Sequence, residues 1–201
     1  REAVERLRIA NLVAADGFVA RPEAVLWGES DDKGKVLGIF SDEGELIASG
    51  RLEIMLKPED LVPKLDFDDM HRYVDLPCAL FGKAATSEAA RGQGLNSYIR
   101  YIGYLLLRDS GIRHVVGTVV PGAPMVKLMR DLGYQFIESP EGWRRYGYKS
   151  EGGTLACYID IIENWDRIQK ILKPIANAAA EHYPIRDGLR PARRAVEALA
   201  V

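Results

Sequence analysis

Histidine and cysteine are scarce in this 201-residue chain, and long apolar runs are missing. With only three histidines, and two cysteines that form no CxxC pair, neither a common zinc centre nor a disulfide framework is expected. Cys78 and Cys157 read as free thiols of a reducing cytoplasm. No stretch approaches the roughly 20 apolar residues of a membrane span. The start, Arg1-Glu2-Ala3-Val4, does not read as a signal peptide. Positive charge is not in excess either: the net charge of −2 excludes a generally basic protein that coats nucleic acid. The expectation is a cytoplasmic protein that works without a metal, a nucleic acid or a membrane.

What is present is an ordinary globular composition, enough for one domain with an appendage. Glu2 to Ala15 places Val4, Leu7, Arg8, Leu12 and Ala15 near one face, the spacing of an amphipathic helix. Ala24 to Trp27 is a short apolar piece that predicts a first strand. Val36 to Ser41 and Leu46 to Met55 predict a hairpin across the turn Asp42-Glu43-Gly44-Glu45. Lys57 to Tyr73 reads as a connection carrying short helices. A strand then follows at Leu76 to Thr86, a helix at Leu95 to Arg108, and a β-branched strand at His114 to Val120. Met125 to Leu132 is a short helix closed by Gly133. Tyr134 to Ile137, Trp143 to Tyr148 and Leu155 to Ile162 complete the strands, and Glu163 to Tyr183 is helical. The order describes an α/β domain, an α+β mixed sheet of about seven strands over residues 1–162. Residues 163–201 form a C-terminal helical extension. Leu189, Ala192, Val196 and Leu199 give it an apolar face that docks on the domain or on a second subunit, as in a homodimer.

The densest chemical signal lies where the strand ending Ala84-Ala85-Thr86 passes through Arg91-Gly92-Gln93-Gly94-Leu95-Asn96 into a helix. The first N–H groups of a helix have no intrahelical partner, and its dipole is positive there, so such a turn favours an anion. A dinucleotide fingerprint needs a third glycine where Ser97 stands, and a Walker loop needs Gly-Lys-Ser/Thr. Both fail on residues. A glycine turn without a ligand is the remaining alternative.

The pattern Arg91-x-x-Gly94, with Gly92 before it, resembles the R/Q-x-x-G-x-G/A acyl-coenzyme A loop of the GNAT acyltransferases, with Asn96 in place of the last small residue. The resemblance spans Leu76 to Ile161 and includes Gly133-Tyr134, similar to that family's closing Gly-Phe/Tyr. It implies a single GNAT-like domain with a splayed central strand pair, and an acyltransferase moving an acyl group from acetyl-CoA or a longer acyl-CoA to the amine of a small molecule. Arg91, Gly92, Gln93, Gly94, Leu95 and Asn96 would hold the pyrophosphate. Ala85 and Thr86 would meet the pantetheine arm along the strand edge, where a backbone N–H of Ala84 to Thr86 would polarise the thioester carbonyl. Glu45 to Leu52 carries a second resemblance, to the G-x-x-R-L strand of autoinducer synthases and N-acyl amino acid synthases. It implies acyl carrier protein as an alternative donor.

Two departures matter. Where many GNAT members carry an Asn and a general-acid Tyr, this chain has Gly122 and Met129. A methionine donates no proton, so the acid would be Tyr134, Tyr98 or Ser97, or the thiolate would leave unaided. Glu53 and Glu88 are the candidate bases, each with the alternative of a solvated surface acid. His71 and His114 are lesser ones. Arg51 would hold a substrate carboxylate. Trp143-Arg144-Arg145-Tyr146 and the tail arginines are a candidate contact for an acidic partner. A non-catalytic acyl-CoA sensor is the rival function.

Overall fold

The computed structural model describes residues 1–13, 25–65, 69–119, 121–137 and 155–184. Six strands form one sheet in the order β1-β2-β3-β4-β6-β5. They are β1 (Lys35–Phe40), β2 (Leu46–Met55), β3 (Cys78–Thr86), β4 (His114–Val119), β5 (Gln135–Ile137) and β6 (Leu155–Asp160). The helices are α1 (Glu2–Arg8), α2 (Glu29–Lys33), α3 (Pro58–Leu65), α4 (Leu95–Asp109), α5 (Pro124–Leu132) and α6 (Trp165–His182). Only β3 and β4 run parallel; the other neighbouring pairs are antiparallel.

Alternation along β2 divides the molecule into two faces. Ala48, Gly50 and Leu52 turn toward α4, while Ser49, Arg51, Glu53 and Met55 turn toward α1, α2 and α3. The larger core lies on the α4 face and includes Leu52, Phe81, Ile99, Tyr104, Val115, Cys157 and Leu172. Gly50 lets α4 come close: a Cβ there would stand 3.0 Å from Ile99 and 3.1 Å from Phe81. The opposite face holds two smaller clusters, Met55, Leu61, Leu65 and Leu80 under α3, and Val4, Leu7, Leu46 and Ala85 under α1.

The central pair splays. Ala79 and Leu80 of β3 pair with Val115 and Val116 of β4, and among the described residues no pairing follows although both strands continue. Across β2 the register shifts between Ser49 and Arg51, so that Lys83 and Ala84 together oppose Gly50 as a β-bulge. Lys83 takes φ +49 there, the left-handed backbone that non-glycine residues seldom adopt.

Several expectations change. Val25 to Trp27 form no strand; the Trp27 amide donates to Glu5 Oε1 (2.9 Å), and the segment leads into α2. The N-terminal helix keeps α geometry only to Arg8 and continues as a π-turn, Ile9–Val13. On α4 the buried side includes Leu95, Ile99, Gly103 and Leu107 with Arg100 and Tyr104, whereas Ile102, Leu105 and Leu106 are half-buried. The helix is covered by the sheet and also by α6, whose Trp165 stacks on Tyr101. The expected strand at 143–148, the arginine–aromatic cluster within it and the expected last helix at 189–200 lie outside the described residues.

Candidate functional site: a glycine cradle and a buried charge cluster

β3 ends in Thr86, and the chain passes through one 3-10 turn, Glu88–Ala90, before reaching the glycine loop. Gly92 (φ +82) and Gly94 (φ +74) both use the left-handed region, and Gly94 is the N-cap of α4. The helix starts at Leu95, which is 1% exposed and anchors the first turn in the core. The first N–H groups of a helix have no intrahelical partner, and its dipole is positive there. Nothing lies within 4 Å of a Cβ built on Gly92, whereas one on Gly94 would meet Ile175 Cγ2 at 2.5 Å. Helix α6 is therefore packed hard against the loop. Just past it, Tyr183 donates its phenol to Gln93 Oε1 (3.0 Å) and accepts from the Tyr98 phenol at its carbonyl (3.2 Å). Arg91 is exposed and reaches Asn11 Oδ1 at 3.2 Å. Asn96 keeps Oδ1 out of water without a hydrogen-bond partner among the described residues.

On the other face of the sheet, charged side chains gather where β3 bulges. Asp31 is the hub: Oδ1 accepts from Arg8 Nη2 (2.7 Å), and Oδ2 accepts from the Gly28 amide (3.1 Å) and Lys83 Nζ (3.3 Å). Arg51 stands 3.6 Å from Asp31 and 3.2 Å from Glu53 Oε2. Lys83 also donates to the Leu26 carbonyl at 3.0 Å. The Arg8 and Asp31 side chains are fully buried, and those of Arg51 and Glu53 nearly so. Among the described residues, three cations face two carboxylates in this cluster, one positive charge more than negative. Nε and Nη1 of Arg8 and Nε of Arg51 are buried without hydrogen-bond acceptors among the described residues. Burial works to raise the Asp31 carboxyl pKa, but the hydrogen bond and charge of Arg8, the Gly28 amide and Lys83 outweigh it and hold the value at about 2. Burial, with Arg51 and Arg8 close by, pushes the Lys83 ammonium below its usual range against the pull of Asp31.

No protein-family model matches the sequence, and no curated protein matches it. Solved structures do. A CoA-dependent acyl-homoserine lactone synthase, BjaI, solved with SAM and isopentyl-CoA, superposes with a TM-score of 0.61 at 16% identity, over 89% of this chain and 90% of that one. FeeM, an N-acyl amino acid synthase from uncultured soil microbes, gives 0.58 at 15% identity, over 83% and 94%. An acyl-CoA N-acyltransferase from Pseudomonas aeruginosa gives 0.52 at 16% identity, over 78% and 87%. The chain has the GNAT fold.

Within the GNAT fold the expected residues fall into three places. Ala85, Thr86 and the loop Arg91 to Asn96 stand in sequence along the open edge of β3 and the start of α4. Arg51 and Glu53 belong to the charge cluster on the opposite face. Glu88 is exposed on the 3-10 turn and joins neither group of contacts just described. Tyr134 is buried: its phenol lies 2.6 Å from that of Tyr104 and accepts from Arg100 Nη1 at 3.2 Å. Burial raises its pKa well above the usual phenol value. His114 accepts the Asp75 amide at Nδ1 (3.0 Å), at the start of β4, away from the splay. Met129 packs in the core. Sequence reasoning missed Asp31 and Lys83 and did not weigh Arg8 as a site residue. The available signal was Arg8 itself, an arginine inside the apolar stripe of α1. Asp31 gave none, since Glu29-Ser30-Asp31-Asp32-Lys33 reads as a solvated polar run.

Among the described residues no helix is long and apolar enough to cross a membrane, and no cluster of metal-ligating side chains occurs.

Proposed function

We propose that the protein is an N-acyltransferase that takes an acyl group from an acyl-CoA and passes it to the amine of a small, carboxylate-bearing acceptor of the amino-acid type. The observation that carries this reading is the cradle itself. Two left-handed glycines deliver the chain into the N-terminus of α4, close after a strand that makes no further pair with β4 from Phe81 onward among the described residues. Such a turn offers backbone N–H groups to a pyrophosphate, and such an edge offers N–H and C=O groups to an extended pantetheine arm.

The acceptor end follows from the charge cluster. A carboxylate placed against Arg51 and Lys83 would neutralise the excess positive charge and occupy guanidinium N–H groups left without acceptors. That FeeM is an N-acyl amino acid synthase, and that BjaI was solved with SAM and isopentyl-CoA, supports the pairing of donor and acceptor classes.

In the reaction, the acceptor nitrogen attacks the thioester carbon while a backbone N–H of Ala84 to Thr86 stabilises the oxyanion. The C–N bond forms, the C–S bond breaks, and the nitrogen loses a proton. Glu53, buried beside Arg51, is the base on the acceptor side; it relays that proton toward solvent. The thiol of coenzyme A leaves as thiolate, which a pKa near about 8.5 permits without an acid.

A thiol-release assay with acyl-CoA thioesters against a panel of amines tests the proposal. Release that depends on an α-amino acid or its derivative is the expected result. Release absent over every amine, with CoA still bound in calorimetry, would leave a sensor in place of an enzyme. No binding of any CoA species would overturn the reading.

A further inference from the structure

The α4 face contains a third buried guanidinium, and its surroundings differ in kind from the charge cluster. Arg100 is 6% exposed. Its Nη1 donates to the phenols of Tyr104 (3.1 Å) and Tyr134 (3.2 Å), and its Cζ lies 4.5 Å from the centroid of the Phe81 ring. Among the described residues no carboxylate pairs with it, and Nε is buried without an acceptor. The neighbours are polarisable but neutral. Burial pushes the Tyr134 phenol well above its usual range, so that neighbour supplies no counter-charge.

Its position in the fold is specific. Phe81 is the first residue of β3 beyond the last pair with β4, and Gly117 is its counterpart on β4. Gly117 pairs with Cys157, whose thiol donates to the Gly117 carbonyl (3.3 Å). Gly117 puts no side chain into the gap: a Cβ there would stand 3.6 Å from the Phe81 carbonyl oxygen. Arg100 thus sits under the vertex of the opening between β3 and β4. A cation taken out of water with only neutral partners is costly unless something completes it.

We propose that Arg100, held by Tyr104 and Tyr134, lies at the inner end of the opening between β3 and β4 and selects donors whose acyl group ends in a carboxylate, the half-thioesters of dicarboxylic acids. The inference rests on the acyl-CoA reading above and adds to it the chemistry of the acyl tip. From Ala84, where the thioester carbonyl would be polarised, to Phe81 is about three residues of strand, roughly 10 Å. The carboxylate-tipped chain is therefore of medium length. Its carboxylate meets the guanidinium in a charge-assisted pair, and a plain alkyl end would leave the cation uncompensated.

The test compares matched thioesters on the wild-type protein: adipoyl-CoA against hexanoyl-CoA, and suberoyl-CoA against octanoyl-CoA, with free CoA as reference. Dissociation constants come from calorimetry, and kcat/KM from thiol release with a productive amine. The expected result is at least a tenfold preference for the carboxylate-tipped member of one pair. In Arg100→Met that preference should vanish or reverse while free CoA binds as before. In Tyr104→Phe, which keeps the guanidinium and loosens its hold, it should shrink. Equal or stronger binding of the alkyl members to the wild-type protein would overturn the proposal, whether or not the Arg100→Met protein folds. Failure of free CoA to bind would instead remove the acyl-CoA reading and this inference with it.

Discussion

The two faces of the sheet bury positive charge by opposite means. On the α1 face, Arg8, Arg51 and Lys83 converge on Asp31 and Glu53, so cations are held by carboxylates drawn from elements far apart in sequence. On the α4 face, Arg100 is held by two phenols and a ring, and the glycine cradle beyond it works through backbone geometry alone. Ion pairing fixes relative positions but titrates. Neutral contacts and backbone turns do not titrate, but they tolerate no added atoms. Mutation and pH should therefore act differently on the two faces.

The largest effect is expected at the hub. Asp31→Asn removes the carboxylate that anchors Arg8, whose side chain has no exposure at all. Breaking a buried pair leaves an uncompensated charge, and the expected loss is about 3–5 kcal/mol of stability in urea unfolding. An unchanged midpoint would mean that water reaches Arg8 and that the cluster is not buried in solution.

The pH dependence separates the faces next. The Asp31 carboxyl is lowered from 3.8 unfolded to about 2 folded. Its contribution is fully present above the unfolded value and is lost as pH falls through the folded one. Unfolding curves of the wild-type protein should thus lose stability between pH 3.8 and about 2. Asp160, lowered in the same direction by the turn amides and Arg113, adds to this acid limb. Asp31→Asn should keep the Asp160 share and lose the rest. Arg100→Met should leave the limb unchanged, because no carboxylate among the described residues pairs with Arg100.

How much of this was legible in the sequence depends on distance along the chain. The cradle was readable because strand, glycines and helix follow one another within Ala84 to Asn96, and each residue type has one conformational reason to be there. The splay was readable only through the family resemblance. The hub was not readable, because Asp31 gains its meaning from Arg8 and Lys83, 23 and 52 positions away. Val25 to Trp27 looked like a strand for a related reason: its apolar character serves packing under α1, and Glu5 has taken the Trp27 amide. On α4, the pattern of Ile102, Leu105 and Leu106 pointed to one buried stripe, since a lone helix sequence does not announce a second partner such as α6.

The glycine cradle offers an internal control for the backbone side of the comparison. Gly92 and Gly94 share a left-handed backbone, yet only Gly94 has a neighbour within 4 Å of its would-be Cβ. Gly92→Ala should cost the left-handed penalty alone, about 1–2 kcal/mol. Gly94→Ala adds the clash with Ile175 and should cost more in the same unfolding assay, besides weakening CoA binding by more than tenfold. Equal costs would show that α6 gives way freely and is not part of the loop's support.

The smallest effect tests whether the contact beyond α6 matters to the cradle or only to the helix. Tyr183 makes two contacts on this side, through its phenol on Gln93 of the loop and through its carbonyl on Tyr98 of α4. Tyr183→Phe deletes the first contact and keeps the second, so the helix end stays docked while Gln93 is released. The Gln93 bond is exposed, and its loss should change stability by no more than about 1 kcal/mol. CoA affinity should nonetheless fall a few-fold, because the freed loop must be ordered when the pyrophosphate binds. A stability loss with unaltered CoA affinity would make Tyr183 a fastener of α6. The reverse pattern would make the end of α6 a working wall of the donor site, held there without a single ion pair to the loop among the described residues.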